Sequence, residues 1–377
     1  MTGFTVRGGT GFGGAGAEPN FDPDRVDAVI LVGGKGTRLR PLTLSLPKPM
    51  LPTAGVPFLT HLLARIAKTG IKHVVLGTAY KAQVFEAAFG DGSKLGLEIE
   101  YVFEEEPLGT GGGIANVAST LRGDTAVVFN GDVLSGADLG QLLNFHYDHD
   151  ADLTLHLVRV GDPRAFGSVP TEDGRVTAFL EKTEDPPTDQ INAGCYVFKR
   201  KIIDMIPTGR EVSVEREVFP ALLADGVHVC GYVDTSYWRD MGTPEDFVQG
   251  SADLVRGIAP TWALGGQSGE SLVHDGASVA PGAVLVGGTV VGRGAEIGPG
   301  VRLDGAVIFD GAHIEAGSRI ERTIIGFGAR VGPRTLIRDG VIGDGADIGA
   351  RCELLRGARV WPGVTIPDVG IRYSSDI

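Results

Sequence analysis

Two cations stand in and just after a glycine-rich turn near the start of the chain, and both could act on a phosphate. Residues 28–43 read AVILVGGKGTRLRPLT, and a Pro-Lys-Pro triplet centred on Lys48 follows them. The apolar run rich in β-branched residues predicts a strand, and the glycine pair at Gly33 predicts that the strand opens into a turn whose backbone N–H groups cradle phosphates. Arg38 and Lys48 can neutralise those phosphates. An arginine within the glycine turn indicates that the bound phosphate reacts at this site and is not only held there.

This glycine turn differs from the two commonest phosphate-binding loops. A Walker A loop has lysine followed by serine or threonine after its last glycine, whereas Gly36 is followed by Thr37 and Arg38. The dinucleotide-binding fingerprint requires a third glycine at the position that Arg38 occupies. Neither an ordinary NTPase loop nor a dinucleotide site is therefore predicted.

Further polar residues follow predicted strands or open predicted helices. Residues 104–113 read EEEPLGTGGG, which predicts a turn into a helix whose first N–H groups are free for a base or a phosphate. Asn130-Gly-Asp132 places a hard carboxylate at a strand end, where it could hold Mg²⁺. Glu181-Lys182 ends another strand, and Asp240 precedes a helix that is expected to start at Thr243.

The elements between Asp27 and about Gly257 alternate between strand and helix, which predicts an α/β domain with a Rossmann-like, mostly parallel sheet. In such a sheet, ligands bind beyond the carboxyl ends of the strands. The predicted strands are Ala28–Val32, Val74–Gly77, Ile99–Phe103 and Thr125–Phe129. The predicted helices are Phe58–Lys68, Gly113–Leu121 and Leu139–His149.

The last hundred or so residues have a different sequence pattern, in which an aliphatic residue recurs every six positions. The series begins at Val279 and ends at Val360, and its phase slips by one residue after Leu303, Ile320 and Ile337. Three six-residue sides make one coil of a left-handed parallel β-helix, and the slips shorten some coils to about 17 residues. We expect roughly five coils. His274 and His313 are interpreted as surface residues of this solenoid.

Length and composition predict two domains and exclude some partners. The chain has 377 residues, and its formal net charge of −13 argues against general nucleic-acid binding and gives no support for a membrane role. Its 3 cysteines are far apart and have no metal-binding spacing. We interpret them as small buried hydrophobic residues in a reducing compartment, which predicts the cytoplasm. The predicted organisation is as follows: a glycine-rich, disordered leader (1–26), the α/β domain (27–257), a linker (258–272), the β-helix (273–365) and a tail (366–377).

Taken in order, these segments resemble the sugar-1-phosphate nucleotidylyltransferase family, and within it most closely the mannose-1-phosphate guanylyltransferases. The resemblance covers roughly residues 27–253. A C-terminal hexapeptide β-helix is also common in this family. The resemblance implies that a nucleotidyl group is transferred from a nucleoside triphosphate to a sugar 1-phosphate, with release of pyrophosphate. For the most similar members of the family these substrates are GTP and mannose 1-phosphate. The implied cofactor is Mg²⁺.

The resemblance also implies a role for individual residues. The nucleotide phosphates would be wrapped by Gly33, Gly34, Gly36 and Thr37. The charge at the reacting phosphorus would be stabilised by Arg38 and Lys48. The rest of the nucleotide would lie against Glu105, Gly109, Thr110 and Asn130.

The remaining implied roles concern the metal and the sugar phosphate. Asp132 and Asp240 would hold Mg²⁺. Glu181 and Asn192 would bind sugar hydroxyls, and Lys182 would hold the sugar phosphate. Thr183 stands where many relatives have proline, which loosens the backbone there but leaves both charged neighbours in place.

Three alternatives remain open from the residues. The same chemistry could use glucose 1-phosphate with UTP or dTTP, since nothing physical in the sequence selects guanine. The chain could instead be a catalytically silent regulatory subunit that binds nucleotide sugar, although the presence of Arg38, Lys48, Asp132 and Asp240 favours the enzyme. An acyltransferase activity of the β-helix is not expected. We expect the β-helix to mediate a homo-oligomer.

Overall fold

The structure is a computed structural model, and it describes residues 20–79, 81–266 and 268–370. The described residues form two compact units. One consists of those in Met1–Gly34 and Leu62–Trp238, and the other of those in Lys35–His61 and Arg239–Ile377. The division falls inside the glycine turn, so the chain leaves the first unit after Gly34 and returns to it at Leu62. Among the described residues, no helix combines the length and the apolar character needed to cross a membrane.

The described residues contain seven α-helices, which are labelled in chain order. They are α1 (Phe58–Lys68), α2 (Ala82–Phe89), α3 (Gly109–Asn116), α4 (Leu139–Asp148), α5 (Arg200–Ile203), α6 (Phe219–Ala224) and α7 (Pro244–Val255). A π-helical turn, Val214–Val218, leads directly into α6. Helix α1 has the predicted bounds, and α4 ends one residue before the predicted end.

The strands before the solenoid are short to medium in length. They are β1 (Val26–Leu31), β2 (Pro52–Thr53), β3 (Val56–Pro57), β4 (His73–Thr78), β5 (Glu98–Phe103), β6 (Thr125–Asn130), β7 (Val133–Ser135), β8 (Leu153–Arg159), β9 (Gly167–Ser168), β10 (Thr171–Glu172), β11 (Arg175–Val176), β12 (Leu180–Glu181), β13 (Gln190–Lys199), β14 (Val229–Asp234) and β15 (Trp238–Asp240).

The first unit is built on a mixed sheet in the order β5-β4-β1-β6-β13-β8-β14-β11-β10. Strands β5, β4, β1 and β6 are parallel, as are β8 and β14, which confirms the predicted mostly parallel sheet. Strand β13 is antiparallel to both of its neighbours, β6 and β8. The chain leaves β1 toward β4 on one side and later adds β6 on the other, so the strand order reverses at the β1–β6 boundary, where α/β proteins bind ligands.

Buried aliphatic and aromatic residues hold this sheet against its helices. Tyr196, Phe198 and Phe219 pack at its centre, with ring centroids of Tyr196 and Phe219 5.1 Å apart. Three of the strands predicted from apolar runs, β1, β4 and β6, are buried because both faces of the parallel part are covered. The fourth, β5, is the edge strand and is only partly buried, with Phe103 exposed, so its predicted burial is wrong.

The second unit contains a solenoid of very short parallel strands. They are β16 (Ser271–Val273), β17 (Ser278–Val279), β18 (Val284–Val286), β19 (Thr289–Val291), β20 (Glu296–Ile297), β21 (Arg302–Asp304), β22 (Val307–Ile308), β23 (His313–Ile314), β24 (Arg319–Glu321), β25 (Ile324–Ile325), β26 (Arg330–Val331), β27 (Leu336–Arg338), β28 (Val341–Ile342), β29 (Asp347–Ile348), β30 (Glu353–Leu354), β31 (Arg359–Val360) and β32 (Thr365–Ile366).

These strands stack into three sheets of six, six and five strands, which is the arrangement of a left-handed parallel β-helix. Leu303 pairs with Ile320 and Ile314 with Val331, so the central coils are 17 residues long. Coils at both ends have 18, as the pairing of Ile348 with Ile366 shows. The aliphatic series predicted from the sequence lines the solenoid core from Val291 to Val360, which confirms the prediction. Val279, in the first coil, is exposed.

Three sequence-based expectations need comment. Residues 1–19 of the predicted leader, like residues 371–377 of the tail, lie outside the described residues, whereas Pro23–Arg25 form a 3-10 helix and β1 begins at Val26. Helix α3 begins at Gly109, four residues before the predicted start. His274 is half-buried rather than a plain surface residue, and its Nε2 donates to the carbonyl oxygen of Ala54 at 3.1 Å.

Candidate active site

The glycine turn begins just after β1, and Asn130 is the last residue of β6, the parallel neighbour of β1 in the first unit. Leu31, at the end of β1, is in register with Asn130, at the end of β6, and Gly131 donates its N–H to the carbonyl oxygen of Leu31 at 3.0 Å. A Cβ at Gly131 would lie only 2.7 Å from that oxygen, so only glycine allows this approach. Gly33 and Asn130 therefore lie at the reversal point of the sheet, where the sequence predicts the nucleotide.

Asn130 carries a buried acceptor. Its Oδ1 atom has no hydrogen-bond partner among the described residues, although a buried polar atom is usually paired. A ligand with a donor group would satisfy this oxygen, which agrees with the predicted place of Asn130 near the nucleoside.

The buried carboxyl group beside the glycine turn belongs to Glu104, whereas Glu105 is the glutamate predicted from the sequence. Glu105 is exposed, while Glu104 is buried and accepts a hydrogen bond from the backbone N–H of Leu108 at 3.3 Å. Burial raises the pKa of Glu104. A Cβ at Gly33 would lie 3.8 Å from Glu104 Oε2, and one at Gly113 would lie 2.9 Å from Oε1. Glu104 thus orders the loop that leads from β5 into α3 and lies next to Gly33 of the glycine turn.

The start of α3 is only partly free for a ligand. The N–H groups of Gly111 and Gly112 both donate to the carbonyl oxygen of Val212, at 2.8 and 3.3 Å, so the expectation that the first N–H groups are free is wrong for these two. The Thr110 hydroxyl donates to Glu215 at 2.8 Å. Gly109 has φ 69°, which favours glycine. Contact of Gly109 and Thr110 with a nucleotide stays a prediction.

A bulge in β13 follows Asn192 and brings Gly194 next to Asn130 of β6. The pairing of β13 with β8 shifts register between Asn192 and Tyr196, and Gly194 within the bulge has φ 75°. A Cβ at Gly194 would lie 3.1 Å from Nδ2 of Asn130, so the missing side chain allows the two strands to approach here. Asn192 donates to the Tyr196 hydroxyl at 2.8 Å and accepts from the N–H of Gly194 at 3.0 Å. These two bonds fix the orientation of its amide.

Glu181 and Lys182 lie at the edge of the first unit next to β9. Glu181 pairs with Gly167 in β9, and the next residue of β9, Ser168, pairs with β13. The Glu181 carboxylate is mostly covered, with 21% of its side chain exposed, while Lys182 is 61% exposed and its Nζ lies 3.7 Å from Glu181 Oε1. The two side chains therefore differ: Lys182 reaches solvent and Glu181 faces the protein.

The second unit brings the two predicted catalytic cations to one carboxylate. Lys48 Nζ lies 3.7 Å from Asp240 Oδ1, and Arg38 Nη2 lies 3.9 Å from Asp240 Oδ2. The Lys48 side chain is only 9% exposed, whereas that of Arg38 is 65% exposed. A buried ammonium requires nearby negative charge, and Asp240 supplies it.

Two glycines shape this cluster. Gly36 has φ 58°, and a Cβ there would lie 3.0 Å from Thr43 and 3.1 Å from Lys48. Gly242 lies under the guanidinium of Arg38, because a Cβ there would be 2.7 Å from Nη2. Thr43 fixes the turn by donating to the carbonyl oxygen of Gly36 at 2.9 Å.

The structure distributes the predicted site residues over both units. The first contains Gly33, Gly34, Glu105, Gly109, Thr110, Asn130, Asp132, Glu181, Lys182 and Asn192, and the second contains Gly36, Thr37, Arg38, Lys48 and Asp240. Asp132 and Asp240 thus belong to different units, and their joint binding of a metal stays a prediction. Within the described part of the chain, no group of three or more His, Cys, Asp or Glu residues forms a ready metal site.

Sequence reasoning missed Gly242 and passed over Glu104. Gly242 follows Asp240 by two residues, and its smallness next to a candidate ligand was the available signal. Glu104 is one of three consecutive glutamates, and only the fold shows which of them is buried.

Comparison with known families matches nearly the whole chain. The nucleotidyl transferase family matches residues 27–257, and the family described as GMPPB C-terminal domain matches residues 267–372. The chain is 80% identical over 355 residues to a mannose-1-phosphate guanylyltransferase of Mycobacterium tuberculosis, which covers 94% of this chain and 99% of that protein.

More distant relatives match about 60% of the chain. A mannose-1-phosphate guanylyltransferase catalytic subunit beta of Drosophila pseudoobscura pseudoobscura is 38% identical over 59% of this chain and 61% of its own length. Among solved structures, HddC from Yersinia pseudotuberculosis complexed with GMP-PN is 30% identical, with a TM-score of 0.53 over 60% of this chain and 99% of that one.

Proposed function

We propose the reaction of this protein from its family, because the chain belongs to the sugar-1-phosphate nucleotidylyltransferases: it transfers the guanylyl group of GTP to mannose 1-phosphate and releases pyrophosphate. The observation that carries the proposal is the 80% identity to a mannose-1-phosphate guanylyltransferase over 94% of the chain. The placement of Arg38 and Lys48 on one carboxylate supports the same chemistry.

The chemistry demands charge neutralisation above all. An ionised oxygen of mannose 1-phosphate attacks the α-phosphorus of GTP, the new P–O bond forms, and the bond to the pyrophosphate oxygen breaks in line with it. No protein nucleophile is needed, since the attacking phosphate is already ionised. Two polyanions must meet, so positioning and electrostatic stabilisation carry the catalysis.

Arg38 and Lys48 perform complementary parts of this task. The exposed guanidinium of Arg38 can donate several N–H groups to the reacting phosphate and to the leaving pyrophosphate. The buried ammonium of Lys48 is a fixed point charge, because its stem is enclosed and Asp240 holds its head at 3.7 Å. The backbone at Gly33, Gly34, Gly36 and Thr37 supplies N–H groups for the phosphates.

Residues of the first unit bind the two substrates. The unpaired Oδ1 of Asn130 accepts a hydrogen bond from the nucleoside. Glu181 and Asn192 bind sugar hydroxyls, and the exposed ammonium of Lys182 holds the sugar phosphate. Gly109 and Thr110 lie along the nucleotide, which their backbone contacts, and Glu105 lies beside them.

Enzymes of this family typically use a divalent metal, and we propose Mg²⁺ held by Asp132 and Asp240. Both residues offer the oxygen donors that this hard cation prefers, and the two cations beside Asp240 fit a site built for bound phosphate. Mg²⁺ would neutralise phosphate charge when bound.

A substrate matrix tests the proposed reaction. Pyrophosphate release is measured for purified protein with Mg²⁺, using GTP, UTP, dTTP and ATP, each against mannose 1-phosphate and glucose 1-phosphate. We expect GTP with mannose 1-phosphate to give the highest kcat/KM. A clear preference for UTP or dTTP with glucose 1-phosphate would contradict the guanylyl assignment.

The same assay separates an enzyme from a regulatory nucleotide-sugar-binding subunit. Wild-type protein should turn over, and Asp132→Ala should abolish turnover while the melting temperature stays close to that of the wild type. Protein that binds GDP-mannose but shows no turnover with any pair would support the regulatory alternative.

We also propose that the protein acts in the cytoplasm, where GTP and sugar phosphates are made. There it would form a homo-oligomer through the solenoid. Apolar side chains are exposed on its last coils, with Trp361 47% and Val364 42% exposed. A second copy of the chain could cover this patch. Light scattering of the full chain should give a multiple of 39.4 kDa, and Trp361→Asp combined with Val364→Asp should reduce it; an unchanged assembly would rule out this surface.

A further inference from the structure

The solenoid holds the backbone that carries Arg38. Arg359, on strand β31, donates from Nη1 to the carbonyl oxygens of Arg38 at 2.9 Å and of Arg40 at 2.7 Å. All three residues belong to the second unit. Arg38 lies in the 3-10 helix Thr37–Leu39, and Arg40 directly follows it. One guanidinium therefore binds two carbonyl groups at the end of the catalytic turn.

The same segment is attached to the solenoid at a second place. His274 Nε2 donates to the carbonyl oxygen of Ala54 at 3.1 Å, and Arg293 Nη1 donates to that of Gly55 at 3.3 Å. The turn fits closely, since a Cβ at Gly55 would lie 1.8 Å from His274 Nε2. Residues of the solenoid, Arg359 on β31 and His274 and Arg293 just after β16 and β19, thus hold both the Arg38 turn and the Ala54-Gly55 hairpin turn.

Arg38 depends on this backbone support. Its side chain is 65% exposed, and its distance of 3.9 Å to Asp240 is long for an ion pair that would fix a guanidinium. The position of the guanidinium is therefore set largely by the backbone from which it extends. Hydrogen bonds from an ionised donor to carbonyl oxygens are stronger than neutral ones, so Arg359 restrains this backbone more than an uncharged donor would.

We propose that Arg359 is a positioning residue for the transfer reaction: it holds the Arg38 turn in the geometry in which Arg38 stabilises the reacting phosphate. The solenoid thereby takes part in catalysis through Arg359. This inference rests on the proposed function, because it assigns Arg359 a role through Arg38.

The test measures kcat and KM of the full-length Arg359→Ala protein by pyrophosphate release. A catalytic group displaced by about 1 Å can lose roughly 100-fold in rate, so we expect kcat to fall roughly 10- to 100-fold. The KM for mannose 1-phosphate and the melting temperature should stay near the wild-type values. Arg359→Lys, which retains a charged donor but lacks the fork, should recover part of the lost rate.

A matched control tests whether the loss of rate is particular to Arg359, and a double variant tests whether Arg359 acts through Arg38. Arg330 is an exposed solenoid strand arginine that binds Glu315 at 3.1 Å, and Arg330→Ala should leave kcat unchanged. If Arg359 acts through Arg38, Arg38→Ala combined with Arg359→Ala should be no slower than Arg38→Ala alone. Wild-type rates in Arg359→Ala, or losses that add fully in the double variant, would overturn the inference. Absence of turnover in the wild type would instead overturn the proposed function.

Discussion

The ammonium of Lys48 lies 3.7 Å from Oδ1 of Asp240, with only 9% of the lysine side chain exposed. Arg38 approaches the other oxygen of the same carboxylate at 3.9 Å. Asp240 therefore balances two cations that are proposed to meet a triphosphate, and it is also the proposed metal ligand in this unit. Because Asp240 alone has both roles, loss of its negative charge should impair both the two cations and the metal site.

Replacing Asp240 by asparagine should abolish most of the activity. The amide keeps the shape of the carboxylate but cannot balance Lys48 or hold Mg²⁺ as well, so we expect kcat to fall on the order of 10²- to 10³-fold. Pyrophosphate release with increasing Mg²⁺ measures the effect, and saturation should require more metal. Asp173→Asn is the control, since Asp173 lies in a turn at φ 48° that asparagine tolerates. Near-wild-type turnover of Asp240→Asn would remove Asp240 from the proposed site.

A methyl group at Gly242 should displace Arg38 without unfolding the protein. The new Cβ would lie 2.7 Å from Arg38 Nη2, but the end of a long side chain can move away at little cost. We therefore expect Gly242→Ala to lower kcat roughly 10-fold and to leave the melting temperature nearly unchanged.

The control for Gly242 is a glycine with open space around it. A Cβ at Gly161 meets nothing within 4 Å, so Gly161→Ala should change neither kcat nor stability. Equal kcat values for wild type and Gly242→Ala would show that the position of Arg38 observed here does not matter for turnover.

Much of the fold follows from the sequence because burial patterns are local. The apolar runs of β1, β4 and β6 predict buried strands within two residues of their ends, and the six-residue aliphatic phase predicts the solenoid core. Helix α3 is the exception. Its four glycines have little helix propensity, so the sequence places its start at Gly113, whereas packing against the Val212 backbone starts the helix at Gly109.

The site is less predictable than the fold because its geometry depends on long-range contacts. The types and spacing of Arg38, Lys48 and Asp240 single them out in the sequence, and the structure brings the three together. Arg359 binds carbonyl groups about 320 positions earlier in the chain, and nothing in its own neighbourhood distinguishes it from the other solenoid arginines.

Replacing Gly112 by alanine should destabilise the first unit. Alanine in an exposed helix normally adds about 1 kcal/mol relative to glycine, but this Cβ would lie 2.8 Å from the carbonyl oxygen of Arg210, and the backbone there would have to shift. We expect the free energy of unfolding to fall by about 1–3 kcal/mol, measured by chemical denaturation. Gly161→Ala again serves as the control, and a Gly112→Ala protein as stable as the wild type would contradict the tight packing of α3.

The stability of the protein should fall as the pH drops from 6.5 toward 4. Burial lowers the pKa of His146 and of His61 from 6.5 to about 4. Between these values the unfolded chain binds protons that the folded chain does not, so the stabilising effect of the neutral rings is complete above pH 6.5 and is lost as the pH falls. Each histidine contributes a slope of up to about 1.4 kcal/mol per pH unit in this window.

His146→Gln tests this dependence. His146 Nδ1 bonds to the Thr154 hydroxyl at 2.8 Å, and glutamine can keep a hydrogen bond there without titrating. The melting temperature, measured from pH 7 to pH 4.5, should therefore fall less steeply than in the wild type. His149, three residues further and exposed, supplies the control, because His149→Gln should keep the wild-type slope. If the His146→Gln slope matches the wild type, the neutral buried ring does not cause the acid sensitivity.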